Sequence, residues 1–238
     1  MQAFAVSGEE SAIAIDELKV QCPEIRLAGG EWLSWKHLMM TPSGTGNSLL
    51  LIQLINQHLP APIVALGTTP LSRQLYQLKE GDLDTIFGLY PIGDRLINYE
   101  FTDSYFLEPL FVYTHETNSR KITSIEDLSS YSGVAVRGVN YGQLVNQEIE
   151  DNPSRWTIVG KHIQAVEMVA AGRADFYIGS YVSEDLKNFN SQLIKGELPI
   201  TFQEVAAAFS KKTACKHWIP YINQLIKDHL QARMMHTL

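Results

Sequence analysis

Cysteine is scarce in this sequence: 238 residues hold two, Cys22 and Cys215. Neither sits in a C-x-x-C pair, which excludes zinc-ribbon and thioredoxin-type motifs. The seven histidines are scattered, without H-x-x-x-H or H-E-x-x-H spacing. No metal site and no cofactor are expected. Basic residues are also in short supply, 19 Lys and Arg against 26 Asp and Glu, for a net charge of −7. A nucleic-acid binder needs a basic footprint to displace counterions, so no nucleic-acid partner is expected. The same deficit disfavours attachment to anionic lipid. No apolar run approaches the roughly 18 to 20 residues that cross a bilayer; Leu49-Leu50-Leu51-Ile52, for example, breaks at Gln53. A leader is not evident either. Met1-Gln2-Ala3-Phe4 offers no basic start, and Glu9-Glu10 interrupts any apolar segment. The expectation is a cytosolic chain or the mature form of a secreted one.

What is present suits a packed core: 45% hydrophobic and 10% aromatic residues, enough for one large or two small domains. Ile25 to Ala28 reads as a strand ending in Gly29-Gly30. A loop with Glu31, Trp32 and Trp35 follows, then a helix from Ser48 to His58, stopped by Pro60. Ile63 to Leu66 is a second strand. Thr69-Pro70 opens a helix whose Leu71, Leu75 and Leu78 share a face, and Gly81 ends it. Thr85-Ile86-Phe87 is a third strand. The order β-α-β-α-β points to a mainly parallel sheet covered by helices. The pattern then restarts. Ser124-x-x-Asp127 signals a capping box. Val134 to Val136 is a strand, Tyr141 to about Ile149 a helix, Trp156 to Val159 a strand. Ile163 to Ala170 is a helix ending at Gly172, and Phe176 to Ile178 a strand.

The repeat is visible in letters. Gly81-Asp82-Leu83-Asp84-Thr85-Ile86-Phe87-Gly88 parallels Gly172-Arg173-Ala174-Asp175-Phe176-Tyr177-Ile178-Gly179. Each first Gly suits a left-handed helix cap, and each Asp starts a strand. Two lobes of similar fold are therefore expected. A last strand, Val205 to Phe209, and a one-sided helix through Trp218, Ile222, Leu225, Ile226 and Leu230 cannot stand alone. They are expected to return to the first lobe. The chain would then cross between lobes near Leu110–Thr114 and near Ile200–Val205, making a hinge. Ligands of open α/β sheets sit at strand carboxyl ends, so the inter-lobe cleft is the expected site.

Gly81-Asp82-Leu83-Asp84, Gly88, Arg95 and Phe101-Thr102-Asp103-Ser104-Tyr105 resemble the first-lobe stretch of extracytoplasmic (periplasmic) solute-binding proteins for polar amino acids. Ile122-Thr123-Ser124-Ile125-Glu126-Asp127-Leu128 with Gly133 to Gly138 resembles their entry into the second lobe, and Ala171 to Asp175 the matching turn. The similarity runs from about Ile25 to Leu230. It implies an α/β chain of two-lobed, type II periplasmic-binding-protein-like fold, each lobe a mainly parallel sheet flanked by helices. Lobe one covers 22–112 plus 206–238, lobe two 113–205, and 1–21 is an N-terminal extension. It further implies a monomeric periplasmic receptor, in mature form, that closes on an amino acid or related small carboxylate. Its partners would be that solute and the membrane permease of an ABC-type importer. No catalytic residue is implied.

The same resemblance assigns roles. Arg95, seven residues after Gly88, would fork onto a carboxylate, because guanidinium offers paired donors. A surface arginine paired with Asp94 or Glu100 is the plain alternative. Asn140, with Tyr141, opens a helix where the family has a small hydroxyl residue; it would donate to the ligand or serve only as a helix cap. Trp32 and Trp35 would stack on the solute, or pack under their loop. Glu31 would meet an ammonium group, or stay solvated. Tyr90 stands where the family has Ser or Thr. Ser180, eight residues beyond Gly172, stands where amino-acid binders carry an acid; either Glu31 or Glu184 takes that part, or the solute lacks an α-amino group.

Two rival functions accompany the transport receptor: a ligand-sensing domain of the same fold feeding a signalling partner, and a small-acid dehydratase. The dehydratase lacks a partner for Glu31 as acid–base pair. Cys22 precedes the first strand and Cys215 follows a strand running away from the cleft. Both should reach the far edge of lobe one and form a disulfide; two buried thiols are the alternative.

Overall fold

A computed structural model describes residues 15–29, 47–118, 122–180 and 192–230. The chain divides into two compact units, 1–107 with 204–238, and 108–203. It passes between them twice, within strands β5 (Phe106–His115) and β10 (Thr201–Ser210).

The first unit holds α1 (Ile15–Gln21), β1 (Ile25–Gly29), α2 (Asn47–His58), β2 (Ile63–Thr68), α3 (Leu71–Glu80), β3 (Thr85–Leu89), α4 (Asp94–Asn98) and β4 (Tyr99–Phe101). Its strands run in the order β2-β1-β3-β10. β1 is parallel to β2 and β3, while β10 pairs antiparallel with β3 and β4. The returning segment adds a 3-10 turn (Ala214–Trp218) and the last helix of the described residues, which we number α8 (Ile219–His229).

Successive strand residues face opposite sides of the sheet, so each strand feeds two cores. Phe87, Ala207 and Phe209 join Leu18, Ile25, Leu51, Ile55, Trp218 and Ile222 on one face. Ile86 and Ala208 join Leu78, Leu83 and Tyr99 on the other. Helix α1 lies in the stretch read as an extension, yet its Leu18 is fully buried in this core.

The second unit holds α5 (Ile125–Leu128), β6 (Gly133–Val136), α6 (Gln143–Asp151), β7 (Trp156–Val159), α7 (His162–Ala170), β8 (Phe176–Gly179) and β9 (Leu193–Lys195). Its strands run β5-β8-β6-β7, with β6 parallel to β7 and β8, and β5 antiparallel to β8 and β9. Leu110, Val112, Ala135, Phe176 and Ile178 fill one side. Phe111, Tyr113, Val134, Val136 and Tyr177 fill the other. Strands buried on both faces need continuous apolar runs, which is why Gly-Val-Ala-Val and Phe-Tyr-Ile-Gly carry no charge.

The repeated letters fold alike. Gly81 and Gly172 follow α3 and α7 at φ of +87° and +66°, conformations that favour glycine. The capping box at Ser124 and Asp127 is formed. Helix α6, expected from Tyr141, starts at Gln143 because Tyr141 is drawn into the core.

Cys22 and Cys215 form a disulfide with Cα atoms 5.2 Å apart. Both are buried within the first unit, and the Trp218 indole N–H donates to the Cys22 carbonyl at 3.4 Å. The bond joins the amino-terminal segment of that unit to its returning one.

Candidate functional site

In each unit the described candidates follow the carboxyl ends of parallel strands, where amide dipoles and turns gather ligand-binding groups in this class of sheet. Tyr90 directly follows β3, and Arg95 lies in the first turn of α4. Gly93, at φ +51°, makes the sharp entry into that helix. Arg95 is half-buried. Its Nη1 donates to the Tyr90 carbonyl at 3.3 Å, and it forms no ion pair among the described residues. The expected alternative partner Glu100 lies instead 3.6 Å from Lys216. Burial pushes the Arg95 pKa down, with the nearby Tyr90 and Tyr99 opposing the shift. A half-buried guanidinium without an ion-pair partner among the described residues has the chemistry to take a planar anion.

In the second unit, Asn140 lies past β6. Its Oδ1 accepts the Gly142 N–H at 2.8 Å, and Asn146 Oδ1 accepts the Tyr141 N–H at 3.0 Å. Asn140 therefore shapes the loop two residues ahead of the helix cap, Gly142. Tyr141 is a core residue. Its phenol oxygen accepts the Val136 N–H at 2.7 Å, the ring is buried, and burial pushes its pKa up to about 12. Ser180 follows β8, and its carbonyl accepts the Tyr113 hydroxyl at 3.1 Å. Tyr177, the second residue of β8, has its hydroxyl 2.6 Å from His162 Nδ1, and burial pushes its pKa up. Glu31, Trp32, Trp35 and Glu184 lie outside the described residues.

Two cations were passed over by the sequence reading. Arg137 directly follows β6, and its backbone N–H donates to the Val159 carbonyl at 2.8 Å. That bond carries the parallel pairing of β6 and β7 to their carboxyl ends, beside Lys161. Both side chains are exposed and form no ion pair among the described residues. Their signal was position alone: a basic residue one or two places past a parallel strand. In a chain of net charge −7, the cations Arg95, Arg137 and Lys161 all follow strand carboxyl ends. Among the described residues no group of three or more His, Cys, Asp or Glu could hold a metal.

The two repeated aspartates belong to the scaffold. Asp84 precedes β3 and reaches across to β1. Its carboxylate accepts the Arg26 backbone N–H at 2.8 Å, Nε at 2.8 Å and Nη2 at 3.0 Å. That hydrogen bonding raises the Arg26 pKa, against the opposing effect of burial. Asp175 precedes β8 and reaches across to the start of β6. It accepts the Ser132 N–H and hydroxyl, each at 2.8 Å.

No protein-family model and no curated protein sequence matches the chain. Solved structures do. A histidine kinase sensor domain with similarity to periplasmic binding proteins aligns at TM-score 0.67 and 14% identity, over 92% of this chain and 95% of that one. An ancestral arginine-binding protein bound to arginine aligns at TM-score 0.65 and 15% identity, over 91% and 96%. The probable amino-acid ABC transporter extracellular-binding protein ytmK from Bacillus subtilis aligns at TM-score 0.65 and 18% identity, over 91% and 95%. At such identities the likeness is one of fold. The chain has the α/β, periplasmic-binding-protein-like fold, and these neighbours are binding and sensor proteins rather than enzymes. Among the described residues no helix is long and apolar enough to cross a membrane.

Proposed function

We propose that this protein is a periplasmic solute-binding receptor for an amino acid or related small carboxylate, closing on its solute and serving the membrane permease of an ABC-type importer. The observation that carries the reading is Arg95: a half-buried guanidinium past the carboxyl end of β3, without an ion-pair partner among the described residues. A carboxylate restores the lost counter-charge through two parallel hydrogen bonds. Arg137 and Lys161 support an anionic ligand by their place at the β6 and β7 ends. Ser180, a neutral hydroxyl, suits a solute whose recognition does not rest on an ammonium ion at that point.

The likeness to a histidine kinase sensor domain favours one second reading, a domain of this fold that reports occupancy to a signalling partner. Both readings require a solute. Protein purified gently from its native compartment should release a small carboxylic acid on denaturation, identified by mass spectrometry. Released material without a carboxylate, or an empty protein whose melting temperature responds to no member of a broad panel of small acids, overturns the proposal.

A further inference from the structure

His58 and His229 are the carboxyl-terminal residues of α2 and α8, two helices that pack together. Their rings lie 5.5 Å apart, inclined at 23°, and both side chains are exposed. We propose that this pair is a site for a divalent transition metal of the zinc, copper and nickel class, with water completing the coordination. The site goes beyond the solute-binding reading. His58 precedes β2, so the pair stands at the amino ends of the strands, away from Arg95.

The ligand type selects the metal, because neutral imidazole suits zinc, copper and nickel, whereas magnesium and calcium take oxygen. With a metal–nitrogen distance of about 2.1 Å and a ring centre about 1.1 Å behind the nitrogen, two imidazoles at a tetrahedral angle hold their centres about 5.2 Å apart. The observed rings are stacked at 5.5 Å, close to that spacing, with their nitrogens not yet aimed at one point. The remaining adjustment is a turn of each exposed ring about its Cβ–Cγ bond, a soft torsion. Field and ligands agree in sign. Two helix carboxyl ends meet at the pair, and each places partial negative charge there, which favours a cation.

The consequence is a second staple within the first unit. Helix α2 lies in the segment before residue 107, and α8 in the segment after residue 204. The disulfide joins the same two segments at another place. A metal bound to the folded protein alone stabilises it by mass action.

The test uses the full, oxidised, untagged chain with zinc, copper or nickel chloride as the sole added ligand. Calorimetry should find one equivalent bound by the wild type, with a rise in melting temperature. His58→Asn and His229→Asn should each weaken binding at least tenfold, and the double variant should abolish both effects. Exposure of both rings keeps the variants folded, checked by circular dichroism. Arg95→Ala should leave metal binding unchanged, which separates this site from the solute site. Absence of binding by all three metals at millimolar concentration overturns the proposal. So does binding that survives both substitutions.

Discussion

At the scale of the residue, the cost of an unpaired charge decides the chemistry. Arg95 has given up part of its hydration without gaining a carboxylate from the described residues in exchange. Among the described residues its hydrogen bond to the Tyr90 carbonyl uses one of five N–H donors and leaves the others for a planar anion. Removing it should cost solute binding about 2 to 4 kcal/mol, about 30-fold to several hundred-fold in affinity. Arg95→Ala is expected to show that loss by calorimetry with the solute identified in the wild type. Arg95→Lys should recover only part of it, because an ammonium cannot match a carboxylate bidentately. Unchanged affinity in Arg95→Ala would remove the residue from the site. Tyr141 shows the opposite outcome for a residue named beside it. Its phenol oxygen accepts the Val136 N–H and its ring packs in the core, which leaves the hydroxyl proton as the one polar group it still has to donate.

At the scale of the element, the repeat is a construction device. A helix ends at a left-handed glycine, and three residues on an aspartate fastens the neighbouring parallel strand before its own strand begins. The two copies differ in strength. Asp84 is buried and holds a guanidinium as well as a backbone amide, while Asp175, only half-buried, accepts the Ser132 amide and hydroxyl. Asp84→Ala should destabilise the protein by about 2 to 3 kcal/mol, less than a fully buried pair because the Arg26 side chain is 36% exposed. Asp175→Ala should cost about 1 to 2 kcal/mol through loss of the Ser132 contacts. Urea unfolding of both variants checks the order; a larger loss for Asp175→Ala contradicts it. The letters of this device were legible in the sequence, and so were both β-α-β-α-β frames, because apolar runs and glycine stops mark them. What the aspartates hold was not legible, since that depends on which strand lies alongside. Strand β5 escaped too: Glu108 and Pro109 interrupt its pattern, and only Leu110 onward reads as buried strand. Strands β4 and β9, three residues each, are too short to show a period. Of the candidate site, Arg95 and Ser180 were readable through a family's spacing. Arg137 and Lys161 were not, because a basic residue after a strand is commonplace until the strand's direction is known.

At the scale of the whole molecule, the first unit is assembled from two ends of the chain, and something must hold the late segment to the early one. Packing supplies part: Trp218, Ile222, Leu225 and Ile226 of the return join Leu18, Ile25 and Leu51 in one core. The pairing of β10 with β3 and β4 adds hydrogen bonds, and the Cys22–Cys215 bond adds a covalent tie across a sequence separation of 193. Cross-linking so long a loop removes conformational freedom chiefly from the unfolded chain, by up to about 5 kcal/mol in the loop-entropy account. Both cysteines are almost wholly buried, so reductant reaches the bond only through opening of the unit. Such a bond forms and persists in an oxidising compartment, in keeping with the proposed periplasmic location. The double variant Cys22→Ala/Cys215→Ala should unfold at markedly lower urea concentration than the oxidised wild type. It should keep its solute affinity, because Cys22 precedes β1 and lies at the opposite end of the strand from the candidate residues. Protein taken from the periplasm and denatured without reductant should yield no titratable thiol. Two free thiols, or equal urea midpoints for the variant and the oxidised wild type, would show that the returning segment is held without help from the bond.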